Sequence, residues 1–238
     1  MSSTWFISDL HLDPSRPAIT RALGEFLDAR RDCQALYILG DFFEAWVGDD
    51  DDAPLAAEVA DMLAAFSAAG PALYLMQGNR DFLLGPDFCQ RVGATLLPDP
   101  SVIDLYGSPV LLMHGDSLCT ADQEYQQFRQ MVRSPQWQAQ LLAQPLADRR
   151  ALADKLRGMS QEANSNKAED IMDVTPSEVE QALLEHQVSC MIHGHTHRPK
   201  RHQHRNGQRW VLGDWGSRGW AIEATADSMQ LIDFAIRP

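Results

Sequence analysis

The chain has 238 residues and a formal net charge of −13, which suits one large domain or a domain with an elaborated cap. Hydrophobic residues at 45% and charged residues at 22% are ordinary for a globular protein and exclude a disordered one. The acidity argues against a nucleic-acid partner, because a surface that follows phosphates needs clustered Lys and Arg.

The first residues, Met1-Ser2-Ser3-Thr4-Trp5, lack a charged segment followed by a long apolar core, so no signal peptide is expected. Residues 4–7 form the first expected strand. Residues 17–31 place Ile19, Leu23, Phe26 and Leu27 at helical spacing. A strand at 35–39, a helix at 55–69 and a strand at 72–76 follow. The uncharged stretch 62–79 approaches membrane-spanning length, but Gly70-Pro71 divides it into a helix, a turn and a strand. This βαβαβ order predicts an α/β layered fold with buried strands. Residues 102–105 and 110–113 add two strands.

Residues 121–187 carry hardly any strand signal. Tyr125, Phe128, Met131 and Val132 fall on one helical face, as do Trp137, Leu141 and Leu142. The expected organisation is a core of residues 1–120 and 188–238 with a helical insertion, or cap, at 121–187. Strands resume at 190–192, Asn206-Gly207 marks a hairpin, and 220–223 and 229–236 complete the sheet. Cys33, Cys89, Cys119 and Cys190 are scattered without a CxxC pair and are expected to be reduced core thiols.

The chemistry lies at the ends of the apolar runs. They deliver, in order, Asp9-Leu10-His11, Gly40-Asp41, Gly78-Asn79-Arg80-Asp81, His114-Gly115-Asp116 and His193-Gly194-His195-Thr196-His197. In open α/β sheets such carboxyl ends converge on one crevice. Glycine directly before Asp41, Asn79 and His195 permits sharp turns that aim a side chain. Asp, His and Asn together suit Mn, Fe, Zn or Mg rather than a soft metal. Asp9, His11, Asp41, Asn79, His114, His195 and His197 are seven side chains, a suitable set for two metals that share one carboxylate. Such a pair can clamp the attacking and leaving oxygens of a phosphoryl displacement and acidify a water.

This ordered set resembles the calcineurin-like metallophosphoesterases. The resemblance implies a β-sandwich flanked by helices around a di-metal site. It implies that Asp9, His11, Asp41 and His197 hold one metal and that Asp41, Asn79, His114 and His195 hold the second, with Asp41 bridging. Many members have His after the motif's Asn; here that residue is Arg80. Arginine cannot act as a general acid but binds phosphate oxygens in bidentate fashion, which fits a low-pKa leaving group such as a phosphate.

Further strings narrow the match: Gly40-Asp41-Phe42-Phe43-Glu44-Ala45-Trp46, Gly78-Asn79-Arg80-Asp81-Phe82, Arg157-Gly158-Met159-Ser160 and Asn166-Lys167-Ala168-Glu169-Asp170. They are similar to the bacterial branch that acts on UDP-linked diacylglucosamine in lipid A biosynthesis. That branch implies hydrolysis of the UDP-2,3-diacylglucosamine diphosphate to UMP and 2,3-diacylglucosamine 1-phosphate, by water attack on the uridine-linked phosphorus. It implies two Mn2+ per chain and a peripheral position on the cytoplasmic face of the inner membrane; the chain itself is expected to be a monomer. It implies Arg80 and His195 as catalytic residues, and substrate contacts by Asn79, Arg80, Asp122, Ser160, Asn164, Lys167 and His195. The alternative is a di-metal phosphodiesterase acting on a soluble nucleotide.

Helical spacing puts Ser160, Asn164 and Lys167 on one face, either as a diphosphate-binding set or as a solvated surface. Trp46, Phe82, Tyr125, Phe128, Met131 and Met159 are candidates to line an acyl-chain groove or simply to pack. The run Asp49-Asp50-Asp51-Asp52 reads as a solvated loop or as the start of the helix at 55. The basic stretch Arg198, Lys200, Arg201, Arg205 and Arg209 reads as a surface hairpin or as a dock for anionic lipid head groups.

Overall fold

The computed structural model describes residues 3–165, 171 and 173–238, with residues 160–165 described by their backbone alone. Two sheets face each other. The first contains β1 (Thr4–Ile7), β2 (Ala35–Leu39), β3 (Ala72–Met76), β4 (Ala94–Leu97), β10 (Arg218–Ala224) and β11 (Met229–Ala235), in the order β11-β10-β1-β2-β3-β4. β1 to β4 run parallel, joined through α1 (Pro17–Asp28), α2 (Pro54–Ala68) and α3 (Pro86–Val92). The second sheet contains β5 (Ser101–Leu105), β6 (Ser108–Leu112), β7 (Cys190–His193), β8 (Lys200–His204) and β9 (Gly207–Val211), in the order β5-β6-β7-β9-β8. β6, β7 and β9 are mutually parallel.

The pleat sorts the core. In β1, Phe6 points between the sheets with Leu39, Leu112, Ile192 and Ile222, whereas Ile7 points to the helix side with Ile38, Leu75, Leu23 and Leu63. The helical connections cover the outer face of the first sheet. Between β6 and β7 the chain forms α4 (Gln123–Val132), α5 (Pro135–Leu142), α6 (Leu146–Ser165) and α7 (Pro176–Glu185). α7 packs Val179 and Leu183 onto Leu111 and Met191 of the second sheet. Val132 of α4 and Leu141 of α5 join the helix-side core of the first sheet instead.

α3 and β4 are absent from the sequence expectation. The helix has only seven residues and lies between Gly85 and Gly93, and Gly93 ends it at φ 68°. That left-handed residue turns the chain directly into β4.

Asp49 is not a solvated residue. Its carboxylate accepts hydrogen bonds from Gly85 N (2.9 Å), Asp87 N (3.0 Å), Phe88 N (3.0 Å) and Trp46 Nε1 (3.1 Å). A side chain 36 residues upstream of Gly85 thus satisfies the open amides of α3. Asp50 pairs with buried Arg149, while Asp51 and Asp52 pair with Arg150, so the acidic run clasps the start of α6. Asp49→Ala leaves several amides without partners and is expected to destabilise the protein by about 1–3 kcal/mol, read as a lower urea midpoint at unchanged slope.

Candidate metal centre and adjoining groove

All five motif loops meet at one end of the sandwich, and they come from both sheets rather than from a single open one. The loops after β1 and β2 run side by side, with Asp9 N donating to Gly40 O (3.1 Å) and His11 N to Asp41 O (3.0 Å). Across the sandwich, His114 Nδ1 lies 2.9 Å from Leu39 O at the end of β2. Gly194 N donates to His114 O (2.9 Å), which ties the two loops of the second sheet together.

The local backbone is unusual. Seven described non-glycine residues have positive φ, and five of them are Asp9, His11, Asp41, His195 and His197. Such conformations cost free energy and cluster where a side chain must be aimed. Glycine makes the close approach possible. A Cβ on Gly78 would collide with Asp41 N and Oδ1, and one on Gly194 with Asp9 Oδ2 and Ser8 Oγ.

The result is a buried knot of carboxylates and imidazoles. Asp9 and His114 are fully buried, Asp41 is 2% exposed and His11 8%. Ligand-type atoms of Asp9, His11 and His197 lie within 4.8 Å of one another, and so do those of Asp9, Asp41 and His114. Asp41 faces a histidine of each group, at 3.9 Å from His11 Nε2 and 3.6 Å from His114 Nε2. Asn79 Oδ1 is 2.8 Å from both His114 Nε2 and His195 Nδ1. Carboxylate and imidazole donors crowded out of water fit divalent cations; without cations the like groups would repel.

The electrostatics follow from that crowding. Burial opposes ionisation of Asp9, but His197, His114 and His11 outweigh it and hold its carboxyl below the usual range. Burial likewise opposes protonation of His114, yet Asp41, Asp116 and Asp9 push it up to about 9. His197 rises to about 8 against its own burial, through its contact with Asp9. His195 falls to about 4, from burial and from neighbouring His114. Asp81, buried next to Asp41, rises to about 6.

Arg80 donates its backbone N–H to Asp41 Oδ1 (2.8 Å). Its side chain and that of Asn79 help line an adjoining groove of about 310 Å3, otherwise walled mainly by apolar residues such as Trp46, Phe82, Phe128, Leu152 and Met159. Met131 lies outside it and is 47% exposed. Tyr125 also lines the groove; its ring stacks on His195 at 6.0 Å, and its hydroxyl donates to buried Asp116 (2.6 Å).

The remaining substrate-contact candidates divide. Asp122 caps α4, accepting from Tyr125 N (3.1 Å). Ser160 and Asn164 lie on α6, where only the backbone is described, and Lys167 lies outside the described residues. The basic stretch is partly internal: Arg209 is 5% exposed, with Nη1 3.2 Å from His193 Nε2, and Arg198 pairs with Asp173 at 2.8 Å. Lys200, Arg201 and Arg205 are exposed.

Sequence reasoning passed over Asp81 and Glu44. Asp81 accepts from Gly78 N (2.6 Å) and Phe42 N (2.8 Å), fastening the Asp41 loop to the Asn79 loop. Glu44 Oε2 stands 3.0 Å from His11 Nδ1. Both lie inside the strings that carried the resemblance, so position alone could have found them.

The model of the calcineurin-like phosphoesterase family matches residues 2–199, and the chain belongs to that family. It is 58% identical to the UDP-2,3-diacylglucosamine hydrolase of Cellvibrio japonicus, over 98% of this chain and all of the relative. It is 52% identical to the enzyme of that name from Pseudomonas aeruginosa strain PAO1, over the same shares. Two solved structures share the fold at 12% identity. One is an archaeal phosphodiesterase (TM-score 0.51, covering 98% of this chain and 99% of that one). The other is a hypothetical protein of Pyrococcus horikoshii OT3 (TM-score 0.53, 99% and 88%).

Proposed function

We propose that the protein hydrolyses the diphosphate of UDP-2,3-diacylglucosamine, releasing UMP and 2,3-diacylglucosamine 1-phosphate, in lipid A biosynthesis. The observation that carries this reading is the junction at Asn79 and Arg80. Both line an apolar groove, while Asn79 also touches the buried Asp and His cluster. A lipid with a charged diphosphate head needs that juxtaposition, whereas a soluble nucleotide has no use for the groove.

Asp9, His11, Asp41 and His197 would hold one divalent cation, and Asp41, Asn79, His114 and His195 a second, with Mn2+ as the proposed metal. Bound there, the ions supply charge neutralisation at phosphoryl oxygens and acidify a water. Arg80 grips the departing phosphate and needs to donate no proton, because a phosphate leaves as an anion. Tyr125 and Asp116 brace His195. Apolar groove residues receive the acyl chains.

No described helix is long and apolar enough to cross a membrane. A monomer resting on the cytoplasmic face of the inner membrane would meet such a substrate. Exposed Lys200, Arg201 and Arg205 are the remaining candidates for contact with anionic head groups, each worth about 1 kcal/mol near such a surface.

The test is UMP release by purified protein with Mn2+ from UDP-2,3-diacylglucosamine, an aryl phosphate and a cyclic nucleotide. Turnover of the lipid substrate alone supports the reading; equal turnover of all three favours a general phosphodiesterase. Leu152→Asp, which puts a charge in the groove, is expected to raise KM for the lipid substrate at least tenfold with a smaller change in kcat.

Cation binding has a pH signature. His114 and His197, raised to about 9 and 8, are largely protonated at neutral pH and must lose those protons to act as ligands. Mn2+ addition at pH 7 is therefore expected to release about two protons per chain, measured calorimetrically in buffers of different ionisation enthalpy. Both folded-state values are raised, so their contribution to the stability of the cation-free protein is full below about pH 6.5 and disappears as pH rises through 8 to 9. Cation affinity increases over the same interval.

A further inference from the structure

We propose that Glu44 is a positioning residue for His11, fixing which imidazole nitrogen faces the cation, and that it links this ligand to α6 of the groove wall. The inference rests on the reading of His11 as a metal ligand.

The two oxygens of Glu44 do different things. Oε2 stands 3.0 Å from His11 Nδ1, at ion-pair distance rather than with hydrogen-bond angles. Oε1 faces two guanidinium groups, Arg157 Nε at 3.8 Å and Arg80 Nη1 at 4.0 Å. His11 points its other nitrogen inward, with Nε2 3.3 Å from His197 Nε2 and 3.9 Å from Asp41 Oδ2. One ring nitrogen therefore faces the cluster and the other faces a carboxylate.

That is the arrangement metal-binding histidines need. An imidazole ligand is neutral and carries one proton, and the group accepting that proton decides which nitrogen is free to bind. A carboxylate this close to Nδ1 favours the tautomer that carries its proton there and leaves Nε2 open. His11 has little freedom to find another partner, being 8% exposed with φ 50°.

Glu44 is itself held from outside the metal cluster. Arg157 lies on α6 and also reaches Asp13 Oδ2 (3.4 Å), two residues beyond His11. Arg157 lines the groove together with Glu44 and Arg80. A purely structural reading would make Glu44 only a counterion for these two arginines. The distances favour the histidine, since the 3.0 Å contact is the shortest of the three.

The test measures metal affinity directly, by Mn2+ competition against a chelator of known affinity. Melting curves establish that each variant is folded. Glu44→Ala is expected to weaken Mn2+ binding about 10–100-fold. Glu44→Gln keeps an acceptor at the same reach and is expected to recover most of that loss. If Glu44 acts through His11, adding Glu44→Ala to His11→Ala costs nothing further. Unchanged Mn2+ affinity in a folded Glu44→Ala protein, or an added loss in the double variant, overturns the proposal. If His11→Ala itself leaves Mn2+ binding intact, the reading of the metal centre fails instead.

Discussion

Asp9→Asn is expected to abolish tight cation binding and to lower turnover about a thousandfold or more, with the fold intact. Asp9 belongs to both groups of ligand-type atoms, one with His11 and His197 and one with Asp41 and His114. It is fully buried, and its carboxylate accepts from His195 N (2.9 Å) and from the Ser8 hydroxyl. Asparagine has the same shape and retains one acceptor, so the substitution leaves no void. It removes the negative charge where cationic ligands have to be drawn in. Lewis-acid stabilisation of a phosphoryl transition state is worth several kcal/mol, which at 1.36 kcal/mol per tenfold gives the expected loss. Chelator competition, turnover and a melting curve on one preparation check all three parts. A folded Asp9→Asn protein with unchanged Mn2+ affinity would remove the basis for the proposed centre.

Gly78→Ala is expected to damage the site almost as severely, and to cost stability as well. The backbones at Gly40 and Gly78 pass in contact: a Cβ on Gly40, at φ 87°, would lie 2.6 Å from Gly78 Cα and 2.6 Å from His114 Nδ1. A Cβ on Gly78 would meet Asp41 itself. Asp41 and Asn79 come together because neither loop has a side chain at the crossing. Asp81 then holds the crossing closed through Gly78 N and Phe42 N. A methyl group there must push the loops apart, at about 1–3 kcal/mol of stability. A displacement near 1 Å at a catalytic centre costs on the order of a hundredfold in rate. Thermal melts and turnover of Gly78→Ala beside Gly70→Ala separate steric from general glycine effects. Gly70, at φ 128°, has open space around its Cβ position, so a loss there is backbone strain without collision, whereas Gly78 lies outside the positive-φ region and its loss is collision alone.

The first sheet was legible because strands buried on both faces read as uninterrupted apolar runs. Residues 4–7, 35–39 and 72–76 coincide with β1, β2 and β3. The short β4 and seven-residue α3 were not legible, because their lengths hold too little periodicity to register. The start of α3 is closed by Asp49, a long-range cap that no local pattern reveals. The order of the motif loops announced a phosphoesterase centre. What the sequence could not show is that β1, β2 and β3 supply one half and β6 and β7 of the facing sheet the other. Glu44 and Asp81 escaped notice for a related reason. Each lies beside a ligand in the chain, but its partner, His11 or Gly78, is brought to it only by folding. The acidic run does lie in a loop before α2 and the basic stretch does run along the β8–β9 hairpin, but neither pattern showed which of their charges are paired. Charges that look solvated one at a time are clasped in pairs, as Asp50 is with Arg149 and Arg198 with Asp173.

The proposed reaction is hydrolysis of the diphosphate of a lipid-linked nucleotide at the uridine-linked phosphorus. Hydrolysis of UDP-2,3-diacylglucosamine by the Mn2+-loaded protein in oxygen-18 water, with mass analysis of both products, tests it most directly. One heavy oxygen in UMP and none in the sugar 1-phosphate is the predicted result. Label in the sugar 1-phosphate, or no hydrolysis of this substrate, would contradict it.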